Sequence, residues 1–180
     1  MICAFVIILT VKMHFDQFFR ILKIVVIVAG VAALGFLFWQ KAVVSGTVTY
    51  STRFTGDSNF IYGPYPIGRV KKLNGEIQIE DEPVYFDVYA PQQFKTANVK
   101  LTYKNESKLT AYLGVKLSGE WNFYLVELPP SADFREQSIE FDVASAWRVD
   151  NVMKFILACS GLGESKKKLL IEKVEVKFFK

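Results

Sequence analysis

Apolar side chains follow two different rhythms along the 180 residues. Residues 24–39 read IVVIVAGVAALGFLFW, an apolar run without a charge. With Ile21 and Leu22 added, and Lys23 extending its ammonium outward, the run reaches about 19 residues, roughly 28 Å as a helix. A helix satisfies its own backbone in lipid, so residues 21–40 are expected to form one transmembrane helix. Beyond residue 46 the pattern alternates with period two. Such runs occupy residues 46–54 (GTVTYSTRF), 68–80, 83–89 (PVYFDVY), 98–103, 110–117 and 120–128 (EWNFYLVEL), then 138–144, 152–158 (VMKFILA) and 168–179. β-Branched and aromatic residues fill them, and Gly, Pro, Asn, Asp and Ser punctuate them. Asn74-Gly75 predicts a type I′ hairpin and Ser118-Gly119 a second tight turn. FIYGPYPIG (60–68) and PPSADF (129–134) read as loops. The expected fold is all-β: an antiparallel β-sandwich of jelly-roll type, residues 47–180, behind one N-terminal transmembrane helix.

Charge places this body relative to a membrane. Lys12, Arg20 and Lys23 precede the apolar run and only Lys41 closely follows it. The positive-inside rule then makes residues 1–20 cytoplasmic and exports the sandwich, with Trp39 as an interfacial anchor and residues 41–46 as a short tether. The expected location is the cell membrane, single-pass, with the sandwich periplasmic or extracellular. A cleavable signal peptide is the rival assignment, against which the apolar core is long and its end bulky (Phe36, Phe38, Trp39). Residues 1–11 are apolar but too short to span. Met13 opens a more ordinary anchor, so residues 1–12 read as an upstream start-codon assignment or a short extra insertion. Phe15, Phe18, Phe19 and Leu22 fall on one helical face that continues toward the headgroups.

Composition narrows the chemistry. Of 22 Lys and Arg and 18 Asp and Glu, four bases and one acid precede the sandwich, leaving it near neutrality with no concentrated basic face. Nucleic acid is therefore not an expected partner. The only His is His14, ahead of the apolar run, so no His-based nucleophilic site can form in the exported domain. Glu120, Glu127, Glu140 and Asp142 lie in strands whose alternation sends many acids to the solvent face; a sugar-active enzyme using a carboxylate pair is a third and weaker alternative, and no catalytic residue is assigned. Glu80, Asp81 and Glu82 read as an exposed acidic turn, and Gly161-Leu162-Gly163 as a β-turn rather than a phosphate loop. Two cysteines make neither a disulfide scaffold nor a zinc site, and Cys159 is expected to be buried and inert. No metal or cofactor is expected.

Aromatics carry the remaining chemistry, because the C–H faces of sugar rings pack on flat apolar surfaces. Tyr62 and Tyr65 lie in the Gly/Pro-rich stretch, where burial and exposure are equally open. Trp121 and Trp147 read first as core or rim residues of the sandwich. Exposed together, they would form a platform with Asn122, Arg148 and Asp150.

The order SGEWNFYLVEL, SIEFDVASAW, NVMKFILACSG, a Gly-containing basic loop and LLIEKVEVKFF resembles the closing strands of galactose-binding-like jelly rolls and many carbohydrate-binding modules. The resemblance covers about residues 68–180. The chain is also similar to single-pass hypothetical proteins of uncultivated bacteria. Where those modules often carry an Asp in the last strand, this chain has Glu172 followed by Lys173, which weakens transfer of their structural calcium site. Two functions follow as expectations. One is a non-catalytic envelope protein whose sandwich serves recognition or assembly, docking an envelope protein. The other is a membrane-tethered carbohydrate-binding module that holds a surface glycan through Tyr62, Tyr65, Trp121, Asn122 and Trp147.

Overall fold

The computed structural model describes residues 20–37, 46–54, 58–165 and 167–180, and divides into two units, Met1–Ser45 and Gly46–Lys180. In the first unit, α1 (Arg20–Leu37) is an 18-residue helix whose length and composition suit a membrane span or a signal sequence. The expectations for residues 1–12, for the segment beginning at Phe15, for His14, for Trp39 and for the tether from Lys41 lie outside the described residues.

The second unit is built from antiparallel strands. They are β1 (Thr47–Thr52), β2 (Ile61–Tyr65), β3 (Val70–Lys72), β4 (Ile77–Ile79), β5 (Val84–Tyr89), β6 (Thr96–Asn105), β7 (Ala111–Lys116), β8 (Phe123–Leu128), β9 (Ser131–Asp142), β10 (Arg148–Val149), β11 (Val152–Ala158) and β12 (Leu169–Phe179). One sheet runs β3-β4-β12-β6-β9, with β1 also on β12; the other runs β2-β5-β11-β7-β8, with β10 also on β11. We call these the first and second sheets. The result is the two-sheet antiparallel sandwich that the alternation predicts.

Alternation decides what each sheet buries. In β5, Val84, Phe86 and Val88 face the core, while Tyr85, Asp87 and Tyr89 face out. In β6, Ala97, Val99, Leu101 and Tyr103 face in, and the residues between them face out. The inward sets meet: Phe86 stacks on Phe155 at 5.3 Å within the second sheet, and Phe155 meets Phe141 of the first edge-to-face at 6.1 Å. Each such side chain contributes about 1.5–3 kcal/mol by leaving water. The Tyr103 hydroxyl, buried with its ring, donates to Pro129 O at 2.6 Å and pins the crossover from β8 to β9. Cys159 is buried, with Sγ 3.7 Å from Ser107 Oγ. Asn105, the first residue of a glycosylation-like Asn-Glu-Ser triplet, is also buried, its amide donating to Leu109 O.

Several local expectations are corrected. Residues 61–65 form a strand rather than a loop. β9 begins at Ser131, so most of the second Pro-led stretch is extended and paired too. Between β3 and β4 only Gly75 takes positive φ (88°), whereas a type I′ turn needs it at both central residues. The I′ signature falls instead on Asp150 and Asn151 (φ 52° and 61°), joining β10 to β11. Ser118-Gly119 opens a longer loop, closed by Leu117 N donating to Asn122 O. The presumed turn at Gly161-Leu162-Gly163 enters α2 (Leu162–Ser165), a single helical turn whose Leu162 is buried.

Candidate functional site

The solvent faces of the two sheets differ in kind. On the first sheet, cross-strand partners outside are Thr49, Lys177, Asn98 and Glu140 in one row, and Ser51, Glu175, Lys100 and Ser138 in the next. Short polar and paired charged groups satisfy one another there, as in Ser138 Oγ to Asn98 Oδ1 at 2.7 Å and Lys100 to Glu136 at 3.1 Å. That face is an ordinary solvated surface.

The second sheet carries aromatics on the phase of the alternation that should be polar. Tyr85 on β5 pairs with Ile156 on β11, which pairs with Gly114 on β7, which pairs with Leu125 on β8. The neighbouring row holds Asp87 paired with Lys154, and Lys116 paired with Phe123. Gly114 is required here. A Cβ at that position would lie 2.5 Å from Leu125 Cδ2 and 2.7 Å from Tyr124 O, so its absence lets Leu125 and Ile156 close over the strand.

Strand β2 adds two tyrosines to this face through a bulge. Tyr62 pairs with Asp87 and Tyr65 with Tyr85, so Gly63 and Pro64 on β2 lie opposite the single Phe86 on β5. Without the extra residue, side chains three apart would point to opposite faces. Gly63 (φ 114°) makes the bulge possible, because a Cβ there would crowd Tyr85 O at 3.1 Å and Phe86 Cα at 3.3 Å. Tyr62 is 47% exposed, its hydroxyl donating to Asn59 O.

The rings form a continuous chain across the sheet. Tyr65 lies 5.8 Å from Tyr85, and Tyr85 lies 6.1 Å from Trp121 and 6.2 Å from Phe123. Trp121 and Phe123 are 6.3 Å apart. Trp121, at the end of the β7–β8 loop, is 73% exposed, which corrects the expectation of a core or rim position. The indole stays largely in water because its ring neighbours are Tyr85 and Phe123 on the outer face of the sheet, with only the Lys116 ammonium over it at 5.4 Å.

Two lysines are set among the rings. Lys154 Nζ lies 4.5 Å from the Tyr65 ring centre and 3.0 Å from Asp87 Oδ1, and it also contacts the Tyr65 hydroxyl. The Tyr65 hydroxyl donates to the same Asp87 oxygen at 2.7 Å. Lys116 Nζ sits 4.2 Å from Trp147 and 5.4 Å from Trp121, and makes no ion pair among the described residues. Trp147 is half-buried at the rim, and Lys116 lies over both its ring and that of Trp121. Asn122 is exposed beside Trp121. Arg148 pairs with the buried Met153 and so sits on the inward phase, away from the platform, while Asp150 belongs to the exposed turn. The residues missed from sequence are Tyr85, Asp87, Lys116, Phe123 and Lys154. Their available signal was an aromatic or a charge on the outward phase of a strand whose inward phase was already fully apolar.

Burial raises the Asp87 carboxyl to about 6 and lowers the Lys154 ammonium. The folded domain therefore binds a proton at Asp87 that the unfolded chain, with an ordinary carboxyl near 3.8, has released. The resulting stabilisation is complete below about pH 4 and is lost as pH rises through about 6. Asp87→Asn is expected to flatten that part of the melting-temperature profile, measured between pH 4 and 8. An unchanged slope would show that Asp87 does not titrate in this range. Burial makes the ionised carboxylate costly at neutral pH, and the contacts of Asp87 with the Lys154 ammonium and the Tyr65 hydroxyl offset part of that cost.

The acidic residues serve structural contacts. Glu82 accepts from Cys159 N–H at 2.6 Å, Asp81 accepts from Glu82 N–H, and Glu80 accepts from the Gln78 amide. Glu172 lies at a bulge in β12, 3.7 Å from Arg53. Among the described residues no cluster of three or more His, Cys, Asp or Glu could hold a metal.

No protein-family model matches the chain, and no curated protein matches it. Among solved structures it is similar to an aspartate-to-alanine variant of a family 29 carbohydrate binding module, with TM-score 0.51 and 12% identity over 73% of this chain and 91% of that one. A second such variant, complexed with mannohexaose, gives TM-score 0.51 and 14% identity over 75% and 93%. A family 29 module from Piromyces equi aligns at 12% identity and TM-score 0.45 over 74% and 81%. The second unit thus has the jelly-roll β-sandwich fold of carbohydrate-binding modules, as the strand order in the sequence implied.

Proposed function

We propose that this protein is a non-catalytic glycan-binding protein, tethered to a membrane by α1, whose second sheet holds a polysaccharide chain along its outer face. The observation that carries this reading is the linked row Tyr65, Tyr85, Trp121 and Phe123, with Trp121 73% exposed. Exposed aromatic surface is costly to leave in water, and sugar C–H faces cover it without requiring a deep pocket. Lys154, Lys116 and Asp87 stand between the rings, where they can donate to and accept from ring hydroxyls. Docking of an envelope protein is the second reading. It would use the sandwich edge where Tyr124 and Phe134 are 50% and 42% exposed.

The test is a glycan panel read with the full chain in detergent. Binding to at least one polysaccharide is expected, and Trp121→Ala should weaken it about 30-fold or more, as loss of a binding hot spot does. Because Trp121 is so exposed, its removal should change fold stability by only about 0.5 kcal/mol. Absence of binding to every glycan, or binding indifferent to Trp121→Ala, would sink this reading.

A further inference from the structure

We infer that the glycan is acidic, and that its carboxylate or sulfate enters a cleft at the end of the sandwich to meet Arg148. This rests on the glycan-binding reading above and specifies its ligand class. The cleft, of about 350 Å³, lies between the chain around residue 93, the start of the β7–β8 loop, and residues 143–148. Arg148 and Trp147 line it together with Ser118 and Ser145.

The guanidinium Nη1 of Arg148 is buried without a hydrogen-bond partner, and so is Nε2 of Gln92 on the facing loop. Buried donors are nearly always paired, and an unpaired charged one is the costliest kind. Arginine cannot escape the cost by losing its proton. What it lacks is an acceptor, since no described residue places one within hydrogen-bond reach of Nη1. The Ser145 carbonyl already accepts from both the N–H and the hydroxyl of Ser118. The Asp142 carboxylate accepts from Ala144 N–H nearby, and no ion pair to Arg148 exists among the described residues. An oxyanion with two oxygens fits the guanidinium fork.

Trp147 connects this cleft to the platform. It lines the cleft, and its ring lies beneath Lys116, whose ammonium also covers Trp121. A chain that extends from Trp121 over Trp147 would meet the Lys116 ammonium and then the mouth of the cleft that Arg148 lines. A ring substituent bearing a negative charge would meet both cations.

The experiment measures affinities of the full chain for matched neutral and acidic oligosaccharides. The pairs are cello-oligosaccharide with β-1,4-glucuronan and β-1,4-mannan with β-1,4-mannuronan, with a galactan and its sulfated form added. In at least one comparison the acidic member should bind tenfold or more tightly than its neutral counterpart. Preference for sulfated galactan over the uronans would identify sulfate as the group held. Arg148→Gln should cut the preference below twofold without changing neutral affinity, and Arg148→Lys should leave an intermediate preference. Equal affinity within every comparison in the wild-type chain overturns the inference without any variant. So does a preference that survives Arg148→Gln. Neutral binding that is lost in Trp121→Ala, with no acid preference, removes this inference alone. No binding to any sugar removes the parent reading with it.

Discussion

Tyr85→Ala is expected to reduce glycan affinity about 30- to 1,000-fold, the range of a central binding hot spot. Tyr85 is the hub of the platform. Its ring contacts those of Tyr65, Trp121 and Phe123, and it lies 5.8 Å from Lys154 Nζ. Truncation removes one stacking surface and also frees three neighbouring rings to reorient. The effect should therefore exceed that of Trp121→Ala, which removes a ring with two ring neighbours rather than three. Isothermal titration of the two variants tests the ranking. Equal losses would mean that the rings act independently.

One residue along the same strand, the expected result reverses. Phe86 is fully buried, stacked on Phe155 and meeting Phe54 edge-to-face at 5.9 Å. Phe86→Ala should cost about 3–5 kcal/mol through lost burial and the cavity left behind. Against a typical domain stability of roughly 5–15 kcal/mol, that corresponds to a fall in melting temperature of about 10–20 °C. Glycan affinity of the fraction still folded should stay within about threefold, since its side chain faces away from the platform. Thermal unfolding and titration of both variants separate the two faces of β5. A large stability loss in Tyr85→Ala, or a binding loss in folded Phe86→Ala, would contradict the assignment of faces.

The fold was legible because period-two patterning survives in nearly every strand. Residues 152–158 and 168–179 read almost residue for residue as β11 and β12. The site was less legible, for two physical reasons. Tyr62 and Tyr65 occur with Gly63, Pro64 and Pro66, and those residues signal a loop when their role is to build a bulge that turns both tyrosines outward. Trp121 reads as a core or rim residue because size and hydrophobicity favour burial, and local sequence does not record that the ring lies on the outer face of a sheet, 73% exposed. Tyr85 and Asp87 stand in a clean alternation, yet the outward phase of one strand gains meaning only beside Lys154 and Phe123, which are far away in sequence. Proximity across a sheet is set by strand order, and strand order is not a local property.

The two outer faces also explain why an apolar platform is tolerated. Leu125 and Ile156 close over Gly114, and the rings contact one another, with Lys116 and Lys154 covering parts of their faces. The surface is therefore organised before any ligand arrives, and preorganised side chains lose less entropy on binding.

The central claim is that ligand meets the outer face of the second sheet. Chemical-shift mapping of the full chain during titration with its tightest glycan tests it directly. The account predicts perturbations at Tyr65, Tyr85, Lys116, Trp121, Phe123 and Lys154, with Asn98, Lys100 and Glu140 on the opposite face unmoved. Perturbations centred on those last three residues, or on Tyr124 and Phe134 at the edge, would contradict it.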